Sequence, residues 1–220
     1  NLHKRGAYSN MKKILILLGL ITLSITAYYF LKDNQIPVFL ITEEPNVIAK
    51  GHNGQVFLVE LHFEHDGLID FIESNHSQNV LFLLDSSLIE RADHIVELLK
   101  KLQRPTGLLG KNSETLDQDI AIYEKAFDHK PLWFMPQGYI YEESLRLTLF
   151  EQQVNMIAPS LIIRNNVFPT KLEKGTILSL PLYKETNVDF KKLSNWMSQQ
   201  KFISIEESLF GYSLKTKRYP

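Results

Sequence analysis

From residue 35 onward, extended apolar runs alternate with segments whose apolar residues recur at helical spacing. PVFLI (37–41), QVFLVELHF (55–63), NVLFLLD (79–85), TGLLG (106–110), LWFM (132–135), VNMIAP (154–159) and TILSLPL (176–182) are short and rich in Val, Ile, Leu and Phe. Pro, Asn and Gly bound them, so they predict strands, with further extended chain at SLIIRN (160–165) and a last strand at FISI (202–205). GLIDFIES (67–74) predicts a short helix. LIERADHIVELLKKL (88–102) predicts one amphipathic helix, with Ile89, Ala92, Ile95, Val96, Leu99 and Leu102 on its apolar face and Ser86 or Ser87 as its cap. More helices are expected over 114–127, 142–153 and 188–200. Such alternation implies a parallel sheet covered by helices, either open and doubly wound or closed as a barrel.

The pattern changes at the N-terminus. Met11-Lys12-Lys13 precedes an apolar run from Ile14 to Phe30, closed by Lys32 and Asp33. A bilayer span needs ~17–25 residues, and a signal-peptide core ~7–15, so the run reads as an uncleaved anchor. Lysines on one side and Tyr28 and Tyr29 near the other place residues 34 onward outside the cytoplasm. A cut after Ala27 would instead release a secreted domain. The expected organisation is an upstream or appended segment (1–10), anchor or signal peptide (11–31), tether and first strand (32–54), main domain (55–212) and tail (213–220).

Composition mostly excludes. With 24 basic and 25 acidic residues the net charge is −1, which gives no electrostatic case for nucleic acid. The absence of cysteine removes disulfides, thiolate metal sites and a thiol nucleophile.

Three segments carry the remaining signal: LFLLDSS (81–87), PLWFMPQGY (131–139) and GTILSLPLYKE (175–185). Their order and surroundings resemble the polysaccharide deacetylase family, the NodB homology domain of carbohydrate esterases, whose fold is a distorted, incomplete (β/α) barrel. LFLLDSS, the helix ending LLKKLQ and the strand PTGLLGKN (105–112) are similar to that family's Thr-Phe-Asp-Asp-Gly strand, helix and following strand. FMPQGYIYEESLRLTLFEQQVNMIAP (134–159) resembles its Arg-Pro-Pro-Tyr-Gly loop, helix and strand, and 175–209 its C-terminal unit. The likeness covers about residues 55–210 and implies a ligand site at the C-terminal ends of the strands.

In the family, a divalent metal, usually zinc, held by one aspartate and two histidines activates water; a second aspartate is the base and a late histidine the acid. The resemblance puts Asp85 at the base position but Ser86 at the metal-binding aspartate. Between residues 110 and 136 there is a solitary His129 and no histidine pair. Met135 replaces the loop arginine, and SLPLY lacks the late histidine. Together these losses imply a degenerate site with no cofactor: a deacetylase-like pseudoenzyme that binds cell-envelope polysaccharide, peptidoglycan or an envelope protein. Gln137, Tyr139 and Tyr141 are the candidate ligand-binding residues, the tyrosines as exposed stacking surfaces, while Trp133 and Phe134 read as core. Asp85 also reads as a cap at a strand-to-helix turn. The alternative is an active metal-dependent deacetylase with zinc or another divalent ion held near Asp85 by His62 and His65, which otherwise read as loop residues. His52 and His76 read as turn residues and His94 as solvated.

Overall fold

The extended apolar runs have a direct counterpart in the computed structural model, which describes residues 41–211 together with Gly19 and Thr22. Eight strands form one sheet: β1 (Val47–Ile48), β2 (Gln55–Leu61), β3 (Val80–Asp85), β4 (Thr106–Gly110), β5 (Trp133–Pro136), β6 (Asn155–Ile157), β7 (Leu161–Ile162) and β8 (Thr176–Leu182). The order is β1-β6-β5-β4-β3-β2-β8-β7, and every pairing is parallel. Among the described residues β1 and β7 are the edges, and the sheet is an open, curled half barrel rather than a closed one.

Successive side chains of a strand face opposite sides, and here each side has its own core. Phe57, Val59, Phe82, Leu84, Leu178 and Leu180 join the outer core under the helices. These are α1 (Leu68–Ser74), α2 (Ser86–Arg91), α3 (Asp93–Lys101), α4 (Leu116–Phe127), α5 (Glu143–Glu151) and α6 (Phe190–Met197). Val56, Leu58, Leu81, Leu83, Trp133, Met135 and Ile177 form the inner core. A last helix, α7 (Ile205–Phe210), adds Ile205 and Leu209 to that inner core, and Glu206 Oε1 accepts from Trp133 Nε1 at 3.1 Å. Since Trp133 opens β5, α7 seals the end of the half barrel where the strands begin. Their C-terminal ends are left as the face for a site.

Two expectations are corrected. The helix expected over 88–102 is two helices, because buried Ala92 leaves helical geometry at φ −128°, ψ 56°. Both ends of α2 are fixed, by Asp85 accepting from Ser87 N and by Arg91 donating to the His62 carbonyl at 2.7 Å. The turn at Ala92 lets α3 present Ile95, Val96 and Leu99 to the core separately. The strand expected at 202–205 reduces to a single bridge between Phe202 and Gln55, because Ser204 caps α7 by accepting from Glu207 N. Within the segment expected to hold the tether and first strand, β1 pairs with β6.

The strand expected at 37–41 (Ile41 apart), the anchor expected over 14–30 (Gly19 and Thr22 apart) and the segments before and after lie outside the described residues. Among the described residues, no helix is long and apolar enough to cross a membrane.

Candidate functional site

Alternation along β2 aims Val56 and Leu58 at the inner core and then Glu60 at the same side, where the strands end. Glu60 is 1% exposed. A carboxyl group this deep needs donors, and three elements supply them. Ser179 of β8 donates to Glu60 Oε1 at 2.5 Å, and the Tyr139 hydroxyl, beyond β5, donates to the same oxygen at 2.8 Å. His62 Nε2 lies 3.3 Å from Glu60 Oε2.

The other ring nitrogen of His62 faces Asp85 Oδ2 at 4.0 Å. Asp85, last residue of β3 and itself buried, caps α2: its Oδ1 accepts from Ser87 N at 2.8 Å and from Ser87 Oγ at 2.5 Å. Gln137 donates its side-chain amide to Asp85 Oδ2. Tyr183 stacks on His62 with ring centroids 4.4 Å apart. The result is one connected polar cluster at the tips of β2, β3, β5 and β8.

Burial, followed by the Glu60 charge and hydrogen bond, drives the Tyr139 hydroxyl far above its ordinary value and keeps it a donor. Burial and Glu60 also raise Tyr141, whose buried hydroxyl has no hydrogen-bond partner among the described residues. Tyr183 is raised by burial first and Glu60 second.

Beside the cluster opens a cavity of about 670 Å³. Tyr139, Pro181 and Tyr183 border the cluster, and Arg164, Asn165, Asn166, Glu185 and Asn187 complete a polar wall.

Of the ligand-binding residues predicted from sequence, Tyr139 lines this cavity, whereas Gln137 and Tyr141 do not. Gln137 is engaged with Asp85, and the Tyr141 hydroxyl turns inward. Tyr139 and Tyr141 are both half-buried rather than freely exposed. Asp85 takes its place in the cluster as a cap, and His62, in the bend that follows β2, is a member of it with a side chain 9% exposed. His65 makes no hydrogen bond to the cluster, and its buried Nε2 is unpartnered among the described residues. His94 pairs with Glu64 at 2.8 Å, half exposed, and Trp133 and Phe134 are core. Glu60, Ser179 and Tyr183 escape the sequence reading.

These groups do not suit a divalent metal. Each carboxyl oxygen of Glu60 and Asp85 faces a protein donor or His62, and each His62 nitrogen faces a carboxyl oxygen, so these groups bind one another rather than converging on a common point. Among the described residues no three His, Asp or Glu side chains form a metal-holding group.

A curled parallel half barrel with a polar cluster at its strand tips is the polysaccharide deacetylase fold, and solved structures agree. The chain is similar to the CE4 family pseudoenzyme BA3943 from Bacillus anthracis, with TM-score 0.64 and 13% identity over 75% of this chain and 69% of that one. It is similar to the Bc1960 peptidoglycan N-acetylglucosamine deacetylase at TM-score 0.60 and 14% identity, covering 75% and 92%. The chitin deacetylase of Colletotrichum lindemuthianum gives TM-score 0.60 and 12% identity, covering 77% and 93%. No family model matches the sequence, and neither does any curated protein.

Proposed function

We propose that this protein is a deacetylase-like pseudoenzyme, tethered to the outer face of a cell membrane, that binds cell-envelope glycan at the strand-tip cavity without hydrolysing it. The observation that carries this reading is that Glu60 and Asp85 are engaged by protein donors within the cluster. Tyr139, Ser179, Gln137 and Ser87 donate to these carboxyl groups, and His62 stands between the two. The cavity supports glycan binding: Tyr139 and Tyr183 offer aromatic surface, and Asn165 and Asn187 offer amides for hydroxyl groups. The apolar run behind Met11-Lys12-Lys13 supports the tether and its orientation. The fold accommodates loss of catalysis, since one similar structure is a pseudoenzyme, and a mutant of that protein is described as having restored enzymatic activity.

The test pairs metal analysis with glycan retention. The 220-residue chain is incubated with zinc, desalted and analysed, then applied to insoluble peptidoglycan and chitin. Sub-stoichiometric zinc, no acetate release, and retention that falls in Tyr139→Ala and Tyr183→Ala support the reading. Stoichiometric zinc lost in Asp85→Ala or His62→Ala, with acetate released from chitin oligomers, overturns it in favour of a metal-dependent deacetylase. Co-purification with an envelope protein in place of glycan retention would make the module an assembly partner.

A further inference from the structure

The polar wall of the cavity is built on a tight turn. Val167 N donates to the Arg164 carbonyl at 3.0 Å, and Asn165 and Asn166 both have positive φ, 52° and 53°. That is the type I′ pattern, which Asn tolerates better than most residues. The turn is locked from outside: Asn166 Nδ2 donates to the Asn187 carbonyl at 2.9 Å, Asn166 Oδ1 accepts from Asp189 N at 3.0 Å, and Lys192 Nζ donates to the Asn166 carbonyl at 3.1 Å. Arg164 is therefore presented from a fixed backbone.

Its guanidinium is unusual in this molecule. Arg91 donates to Ser87 and to the His62 carbonyl, Arg104 to the carbonyls of His76 and Gln78, and Arg146 to the Pro45 carbonyl. Among the described residues Arg164 alone of the arginines has neither a hydrogen bond nor an ion pair for its side chain, yet it lines the cavity. Its charge acts on the opposing wall, where it counters part of the upward shift of Tyr183. Glu185 lines the same cavity and forms no ion pair with it.

Resting on the glycan reading above, we infer that the cavity selects an acidic glycan, and that Arg164 binds a carboxylate carried on one of its sugars. A planar guanidinium offers paired N–H donors that match a carboxylate, and the Asn165 and Asn187 amides beside it suit the neighbouring hydroxyl or acetamido groups. Glu185 has the opposite effect on such a ligand: it repels the carboxylate and narrows binding to the Arg164 side.

The experiment titrates the 220-residue chain calorimetrically with three tetrasaccharides: a neutral N-acetylglucosamine tetramer, an equal-length tetramer with a lactyl carboxylate on alternate sugars, and its methyl ester. The carboxylated tetramer is expected to bind roughly tenfold tighter than the other two, the scale of one hydrogen-bonded charge pair. Arg164→Gln should abolish the preference, so that the carboxylated tetramer binds no tighter than its methyl ester, and Glu185→Gln should keep or enlarge it. Equal affinities in the wild type, a preference that survives Arg164→Gln, or one lost in Glu185→Gln overturns the inference while the glycan reading stands. Failure of all three ligands to bind overturns both.

Discussion

At Glu60 an apolar strand places a carboxyl group where water does not reach, and the fold compensates with donors from distant parts of the chain. Tyr139 lies 79 residues away in sequence and Ser179 lies 119 away, yet both donate to the same oxygen. Hydrogen bonds to a charged buried group contribute about 1.5–3 kcal/mol each, so Tyr139→Phe and Ser179→Ala should each destabilise the fold by that order. Sharing one acceptor makes them non-independent, and a double-mutant cycle in urea should show a coupling of roughly 0.5 kcal/mol or more. Additive losses would mean that the two hydroxyls do not meet at Glu60. The sequence carries a faint sign of this residue, since a charged side chain follows Val56 and Leu58 on the inward parity of QVFLVELHF. Its partners could not be read, because neither parity nor spacing says which distant strand ends converge. Asp85 was more accessible to reasoning: its position before Ser86-Ser87 states a cap by local chemistry alone, and the cap forms.

Elements follow the same division between local and distant causes. Strands β2, β3, β4, β5 and β8 fall where compact Val, Ile, Leu and Phe runs predict them, because burial on both faces needs only apolar content. Where expectation and structure part, a cap or a pinned end decides. Ser204 is the clearest case: a strand-like FISI is overruled because Ser204 and Glu207 have the spacing of a capping box, and Ser204 starts α7. Ser204→Ala should cost about 1 kcal/mol, within a 0.5–2 range. Because Glu206 holds the Trp133 indole N–H, a loosened α7 should also alter Trp133 emission before the global transition. Thermal unfolding followed by fluorescence and by circular dichroism tests both points. Coincident transitions with unchanged midpoint would show that the cap is dispensable. The loop 51–54 on which α7 rests is equally tight: Ser208 Oγ donates to the Asn53 carbonyl at 2.6 Å, and a Cβ on Gly51 would stand 1.9 Å from Ser208 Oγ.

For the molecule as a whole, the cluster ties the tips of β2, β3, β5 and β8 through buried groups, so its protonation couples to global stability. Tyr139 and Tyr141 are raised above the ordinary tyrosine value, first by burial and then by Glu60, while in the unfolded chain both titrate near 10. Above that pH the unfolded state releases protons that the folded state keeps. The folded state then binds more protons, and by linkage its stability falls as pH rises. The stabilisation is fully present below about pH 10 and is lost progressively above it, on the alkaline side alone. Unfolding free energies in urea between about pH 8 and 11 should therefore bend downward near pH 10 in the wild type. Lysines and other tyrosines add their own slope, so the diagnostic quantity is the difference between wild type and variant. Tyr139→Phe and Tyr141→Phe each remove a titrating group and should flatten the alkaline limb, the double variant most. A slope unchanged in the double variant would place the alkaline sensitivity outside the cluster. It would also remove the argument that the strand tips are held together through protonated tyrosines facing one buried carboxyl group.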